Sequence, residues 1–325
     1  MTGSEELPLV SIVTPVYNGE TYLAECIESV CAQTYPNWEY VIVDNRSTDR
    51  SREIAENYAG KDPRIRIHVN ETFLPLMQNW NHALRQISKH SKYCKVVHAD
   101  DWLFPECVSS MVKVAEENPQ AGIIGSYRLD EDRVNLDGIP YPSTVISGRE
   151  VARLNLLDEL YLFGSPTSLL LRSDLVRARK NFYNEGNLHA DTEVCFDLLR
   201  HTDFGFSHQV LTYTRRHNEA VTSISRRLNT YISSSLLVLK KYGADYLNEN
   251  EINNATRIRM NLYYRFLAKS LIRMIMRRDW AQQRELWTYH MTMLKSLGHR
   301  FSRGRLAGAV FILLYNGFLR RLQIP

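Results

Sequence analysis

Carboxylates follow strand-like runs at two places in the first hundred residues. Asp44 closes the run YVIVD, and Asp100–Asp101 come after KVVHA. Where such runs are parallel strands joined by helices, their carboxyl ends open onto one crevice, and these acids would share it. A single aspartate there reads as a turn cap. Three together suit a hard divalent cation, which prefers oxygen ligands and commonly grips substrate phosphates as well. No glycine-rich loop offers itself for the phosphate. T-P-V-Y-N-G (residues 14–19) stands where a dinucleotide fold needs G-x-G-x-x-G, and G-x-x-x-x-G-K-[ST] is absent from the sequence. A nicotinamide dehydrogenase and a P-loop kinase are thereby disfavoured. A metal-bridged nucleotide diphosphate remains.

The elements that must position these acids are legible in the periodicity. Leu9–Thr14, Tyr40–Asp44, Arg64–Val69, Lys95–His98 and Ala121–Tyr127 are short apolar runs rich in β-branched residues. Between them, Leu23, Cys26, Ile27, Val30 and Cys31 recur three and four apart, as on one face of a helix. Ser51–Tyr58 reads as a helix after the turn NRSTD, and Asn79–Ile87 as another. A further helix starts at Pro105, with Val108, Met111, Val112 and Ala115 on one face. Strands alternating with helices predict an α/β fold around a mostly parallel, buried sheet. Residues 128–225 are less regular, apart from Ser147-Gly-Arg-Glu150, a capping box that opens a helix running to about Leu157.

The formal net charge of +4 over 325 residues conceals two unlike parts. Residues 226–325 hold 18 basic and 5 acidic side chains, whereas residues 1–225 hold 22 and 31. The basic part is poor in glycine and proline and reads as helical throughout. Within it Arg265, Lys269, Arg273 and Arg277 follow at four-residue intervals, a like-charge stripe that weakens an isolated helix and so predicts an anionic partner. Leu306–Leu319 is an apolar run flanked by Arg300, Arg303 and Arg305 and by Arg320 and Arg321. It is short for a membrane span and suits a core or interfacial helix. Residues 257–321 are therefore candidates either for a helical subdomain or for peripheral contact with an anionic membrane; nucleic acid is not expected. The five cysteines lack CxxC spacing and predict reduced, mostly buried thiols. With no basic region and apolar core at MTGSEELPLV, a cytoplasmic location is expected.

Taken in order, VSIVTPVYNGETYLAECIESVCAQTYPNWEYVIVDNRSTDRS, NWNHAL and VVHADDWLFPE strongly resemble the inverting glycosyltransferases of family 2, which have the GT-A fold. The likeness covers about residues 8–225 and implies a Rossmann-like catalytic domain over 1–225. Its nucleotide-sugar half would be about 1–127 and its acceptor half about 128–225, followed by the basic helical region 226–325. It implies transfer of a sugar from a nucleotide-diphosphate donor (UDP favoured) to a glycan or lipid-linked acceptor hydroxyl, with Mg²⁺ or Mn²⁺. By the same resemblance Thr14, Pro15 and Tyr17 frame the base of the nucleotide, Asp44 contacts base or ribose, and Asn81 contacts the nucleotide. Asp101 is the direct metal ligand, and Asp100 lies towards ribose or donor sugar. The family's catalytic base falls on Asp191 in NLHADTEVCFDLL, with Glu193 its competitor. The glutamate usual before that aspartate is Ala190 here. TYTRRHNEAVTS resembles the family's R-x-H segment, so His217 becomes a third metal ligand or a diphosphate contact, and Arg215 or Arg216 a charge clamp.

Residues 218–227 would close over the donor. The turn Gly164–Ser168 would lie beside the acceptor. Trp80, Trp102 and His98 near the metal motif are read as core packing. A different class of function, a non-catalytic sugar-nucleotide-binding or scaffold subunit of a glycan assembly complex, would bind nucleotide without turnover.

Overall fold

The computed structural model describes residues 7–216, 222–277 and 280–322. The chain divides into two compact units, residues 1–216 and 217–325. The first unit runs β1 (Val10–Val16), α1 (Leu23–Cys31), β2 (Trp38–Asp44), α2 (Ser51–Ala59), β3 (Ile65–Val69), α3 (Leu76–Leu84), β4 (Tyr93–Val96), β5 (Trp102–Leu103) and α4 (Cys107–Glu117). It continues with β6 (Ala121–Asp130), β7 (Arg133–Asn135), β8 (Val145–Ile146), α5 (Gly148–Leu156), a 3-10 turn (Pro166–Ser168), β9 (Leu170–Arg172), α6 (Ser173–Arg177), α7 (Ala190–Leu198) and β10 (Asp203–Thr214).

All seven residues of β1 are buried, as a strand covered on both faces requires. It pairs in parallel with β2 on one side and β4 on the other, and β2 pairs in parallel with β3. The registers Val16↔Asp44 and Asp44↔Val69 bring three strand ends to one edge. This is the parallel core that the sequence predicts. Beyond β4 the order continues β9, β6, β10, β5, with β7 on β6 and β8 on β10. β6 and β10 are parallel to each other, and β9 is wedged between β4 and β6 with reversed direction. The core is filled from one helix face at a time: Leu23, Cys26, Ile27 and Val30 of α1, and Val108, Met111, Val112 and Ala115 of α4, pack against sheet residues such as Ile12, Tyr40 and Ile124. All five cysteines are free thiols, four of them buried.

Some boundaries differ from the periodicity. α3 begins at Leu76 rather than Asn79, because Pro75, extended at φ −54° and ψ 154°, ends the preceding loop. β4 stops at Val96, where Val97 makes a last bond to β1 before the chain turns at His98 and the Asp101 N–H reaches the His98 carbonyl.

The second unit is helical: α8 (Thr222–Leu228), α9 (Thr230–Tyr246), α10 (Glu249–Arg277), α11 (Trp280–Ser296) and α12 (Arg303–Leu322). Its core gathers Leu236, Tyr263, Leu267, Ala268, Leu294 and Ala309. Buried His290 staples three of these helices. Its Nε2 donates to the Leu228 carbonyl at 2.7 Å, so Nδ1 accepts from the Tyr263 hydroxyl at 2.7 Å. Among the described residues no helix is long and apolar enough to cross a membrane.

The Ser147 N-cap of α5 is formed: its hydroxyl accepts the Glu150 N–H at 3.3 Å. Next to it, a Cβ on Gly148 would stand 2.0 Å from the Thr202 carbonyl oxygen and 2.6 Å from that of Leu199. In urea unfolding, Ser147→Ala is expected to cost about 1 kcal/mol. Gly148→Ala should cost about 2 kcal/mol or more, since only backbone can yield there.

Candidate active site

The edge formed by the ends of β1, β2 and β4 is built by its loops. The loop after β1 is zipped to the loop after β2: the Asn18 N–H bonds Ser47 Oγ (3.0 Å), Gly19 N–H bonds Ser51 Oγ (2.8 Å), and Glu20 N–H bonds the Asp49 carboxylate (2.9 Å). Asn18 and Arg46 take positive φ to make these turns. Asp44 is buried at the end of β2 and accepts from the Ser47 N–H at 3.2 Å. Asn45 and Asn70 bond side chain to side chain, and Asn45 also holds Leu74, which fixes the far wall. Tyr17 is exposed and meets Phe73 edge-on with ring centres 4.9 Å apart.

Two residues expected at the nucleotide are engaged inward. The Thr14 hydroxyl is buried against Tyr40 Oη at 2.7 Å, so Thr14 and neighbouring Pro15 offer the crevice their backbone. Asn81 is buried, and its amide spans the Tyr183 backbone, accepting from N–H at 2.8 Å and donating to C=O at 2.9 Å. It pins the segment that leads to α7.

Asp101 is the most constrained acid. Its side chain is buried, with Oδ2 accepting from Thr167 Oγ1 at 2.6 Å and Oδ1 from the Arg215 N–H at 3.2 Å. Burial beside Asp100 raises its pKa well above the usual carboxylate range, which the Thr167 bond opposes. Thr167 also accepts the His98 N–H at 3.1 Å, and its carbonyl takes a 2.8 Å bond from Lys95, a lysine fully buried within β4. Arg215 closes the other side: its guanidinium pairs with Glu25 at 2.6 Å and lies 4.2 Å from the Tyr22 ring centre.

His98, Asp100 and Asp101 place one donor atom each within 4.8 Å of one another. His98 lies against Trp80, with ring centres 4.6 Å apart and planes tilted by 38°, and its Nε2 is buried with no hydrogen-bond partner. Burial lowers its pKa, which favours the neutral imidazole, the form able to ligate a metal. Two carboxylates and a neutral imidazole fit a divalent cation such as Mn²⁺. His98 joins the cluster on account of its place two residues before Asp100 in H-A-D-D, a spacing that packing arguments overlooked. His217 lies outside the described residues, as do residues 218–221 of the expected lid; α8 begins at Thr222.

On the other side stands α7. Asp191 sits in its first turn, with Oδ1 held by the Thr192 N–H at 2.8 Å. Burial pushes its pKa up to about 6, a value fit for a base at neutral pH. Glu193 is committed elsewhere: its carboxylate accepts from Asn184 (3.0 Å) and Asn187 (2.7 Å) and so braces its own loop.

The model of glycosyl transferase family 2 matches residues 11–179, half of the sequence and all of the β1–β9 framework. The chain belongs to glycosyl transferase family 2. Among curated relatives of this family 2 chain, the putative glycosyltransferase EpsE of Bacillus subtilis is 25% identical over 72% of this chain and 87% of its own length. An uncharacterized protein of Sinorhizobium fredii, y4gI, is 39% identical over 39% of this chain, a stretch that makes up only 14% of that relative. Among solved structures, S. aureus TarS 1-349 in complex with UDP-GlcNAc superposes with a TM-score of 0.64 at 18% identity, covering 89% of this chain and 80% of that one. The mannosyltransferase PcManGT of Pyrobaculum calidifontis, in complex with GDP-Man and Mn²⁺, does so with a TM-score of 0.57 at 14% identity, covering 99% and 82%. The family 2 chain thus has a GT-A fold, with the helical unit appended.

Thr167 and Lys95 were hidden in the sequence, since a threonine in a turn and a lysine at a strand start carry no signature. Their geometry gives a direct expectation for this family 2 site. Thr167→Val should weaken Mn²⁺ binding about 10- to 100-fold in titrations followed by electron paramagnetic resonance, as loss of a ligand-orienting bond does. Thr167→Ser should retain it; equal affinities in all three proteins would refute the role.

Proposed function

We propose that the chain is a metal-dependent, inverting glycosyltransferase acting in polysaccharide or lipid-linked glycan synthesis. It moves a sugar from a nucleotide-diphosphate donor to an acceptor hydroxyl. The observation that carries this reading is a His98–Asp100–Asp101 cluster, with Asp101 buried, in a unit that also holds Asp191, whose carboxyl burial raises to a pKa of about 6. TarS structures with UDP and with UDP-GlcNAc favour a UDP-sugar, and PcManGT with GDP-Man keeps GDP open. In this reading residues 1–225 form the catalytic domain and 226–325 the basic appendage. The backbone around Thr14 and Pro15, with the Tyr17 ring, frames the base; Asp44 meets base or ribose; Asn81 and Arg215 shape the diphosphate side. Bound by Asp101 with Asp100 and His98, and His217 as a further candidate, Mg²⁺ or Mn²⁺ would supply charge neutralisation for the departing diphosphate. Asp191 accepts the proton of the acceptor hydroxyl as that oxygen attacks the anomeric carbon from the face opposite the leaving group. One displacement inverts the centre.

The appendage supports a cytoplasmic enzyme working at an anionic membrane. Leu306, Ala309, Val310 and Leu313 turn α12 inward, yet Phe311 (69% exposed), Ile312, Leu314 and Tyr315 leave an outer apolar face. Arg300, Arg303 and Arg305 are exposed beside it, and Arg265, Lys269 and Arg273 are exposed along α10. An apolar ridge rimmed by cations is the pattern of an interfacial helix.

Donor use is read by nucleotide release from UDP-, GDP- and dTDP-sugars with Mg²⁺ or Mn²⁺. Asp191→Asn should lower kcat about 10²–10⁴-fold, and Asp101→Ala should abolish metal-stimulated turnover. The base works deprotonated, so kcat/KM should fall about tenfold per pH unit below about 6 and flatten above it. Nucleotide binding without turnover across a broad acceptor panel would favour the scaffold reading. Vesicles rich in phosphatidylglycerol should sediment the full chain but not a Phe311→Ser/Ile312→Ser/Leu314→Ser variant; equal sedimentation, or none, removes the membrane contact.

A further inference from the structure

Arg128 lies inside β6, two residues before its end, and is 8% exposed. Its Nε is buried and bonds nothing. The nearest carboxylate, Asp130, stands 3.6 Å from its Nη2, beyond hydrogen-bond range. Asp130 is already satisfied. Arg216 grips both of its oxygens, through Nε at 2.5 Å and through Nη2, and Asn135 donates to it at 2.9 Å. The carboxylate is thus hydrogen-bonded by a different arginine, and Arg128, in a looser ion pair with it at 3.6 Å, keeps unfilled donors. A buried guanidinium with unfilled donors is costly unless something further pairs with it.

Its surroundings point to what does. In register, Arg128 faces Thr212 of β10, and Thr212 faces Leu103 of β5, two residues after Asp101. The 3-10 turn packs on β6 and is preceded by Ser165 and closed by Ser168, whose hydroxyls are also buried without partners. The charge of Arg128 is felt by both Asp101 and Asp191. A cation beside a base weakens it. An anion arriving on that cation would restore the base only when a substrate is present.

We infer that Arg128 is a substrate-binding residue whose guanidinium takes a phosphate oxyanion carried into the cleft by a substrate. The inference rests on the transferase reading. A guanidinium presents planar, paired donors that match phosphate oxygens, which neither of the serines nor an ammonium can do alone. The phosphate comes either from the donor's diphosphate or from a phosphate group on the acceptor.

The test uses the full chain, wild type, Arg128→Gln and Arg128→Lys, by calorimetry with Mn²⁺ present. The probes are UDP, GDP, dTDP, uridine, and inorganic phosphate added to the nucleotide-saturated protein. If the donor supplies the oxyanion, Arg128→Gln binds the preferred nucleoside diphosphate at least tenfold more weakly, with any uridine affinity unmoved. If the acceptor supplies it, nucleotide affinity holds and phosphate binding to the nucleotide-loaded protein is lost. In either case Arg128→Lys recovers only part of the loss, and ligand-free Arg128→Gln melts no lower than wild type, since Asp130 keeps Arg216. A ligand-free variant that unfolds or melts markedly lower would make Arg128 a structural partner of Asp130 and overturn the inference. So would nucleotide and phosphate affinities equal in all three proteins. A wild-type chain that binds none of the nucleoside diphosphates would overturn the transferase reading and the inference together.

Discussion

The catalytic unit is organised around one buried carboxylate, that of Asp101. A carboxylate removed from water costs several kcal/mol unless hydrogen bonds replace its hydration. Here the replacements come from distant parts of the chain: Thr167 from the turn before β9 and Arg215 from the end of β10. Thr167 is in turn fixed by the ammonium of Lys95, itself unhydrated and dependent on the Thr167 and Leu169 carbonyls. Each group would be a liability alone. Together they tie the reversed strand β9 to β4 and make the position of the acid a property of the whole sheet.

That dependence explains which parts of the molecule could be read in advance. β1 and β2 were legible because strands buried on both faces are continuous apolar runs, and α1 and α4 because their buried residues recur three and four apart. The reversed direction of β9 was not, as three residues carry no signal of how they pair. β10 escaped notice because Gly205 and His208 interrupt it and three register shifts, at Asp203/Phe204, Ser207/Val210 and Val210/Thr212, break its alternation.

The site divides along the same line. Asp44, Asp100, Asp101 and Asp191 stand out because an acid at a strand end or in a first helical turn has a readable place. Asn81 reads as a ligand contact from its motif, and the structure adds a second role, since its amide closes on the Tyr183 backbone. Side-chain amides satisfy backbone and ligand equally well, so type alone could not separate the two. Arg128 gave one overlooked signal, a charge near the end of AGIIGSYRLD, where a buried strand should be apolar.

Buried polar atoms without partners are normally rare, and each needs a cause. Here they are unevenly placed. Among the described residues of the catalytic unit they include His98 Nε2, Arg128 Nε, Ser165 Oγ, Ser168 Oγ and Thr214 Oγ1. All of these lie on the segments that hold Asp101 or flank it. Trp38 Nε1 and Asn70 Oδ1, farther along the sheet, are also without partners, whereas the Glu193 carboxylate bonds both neighbouring asparagines. Donors and acceptors left unfilled around one carboxylate place part of the fold's instability where a polar ligand would relieve it. Stability and binding are then opposed at the same atoms, which is why this cleft is the part of the unit where sequence rules for a well-packed strand fail.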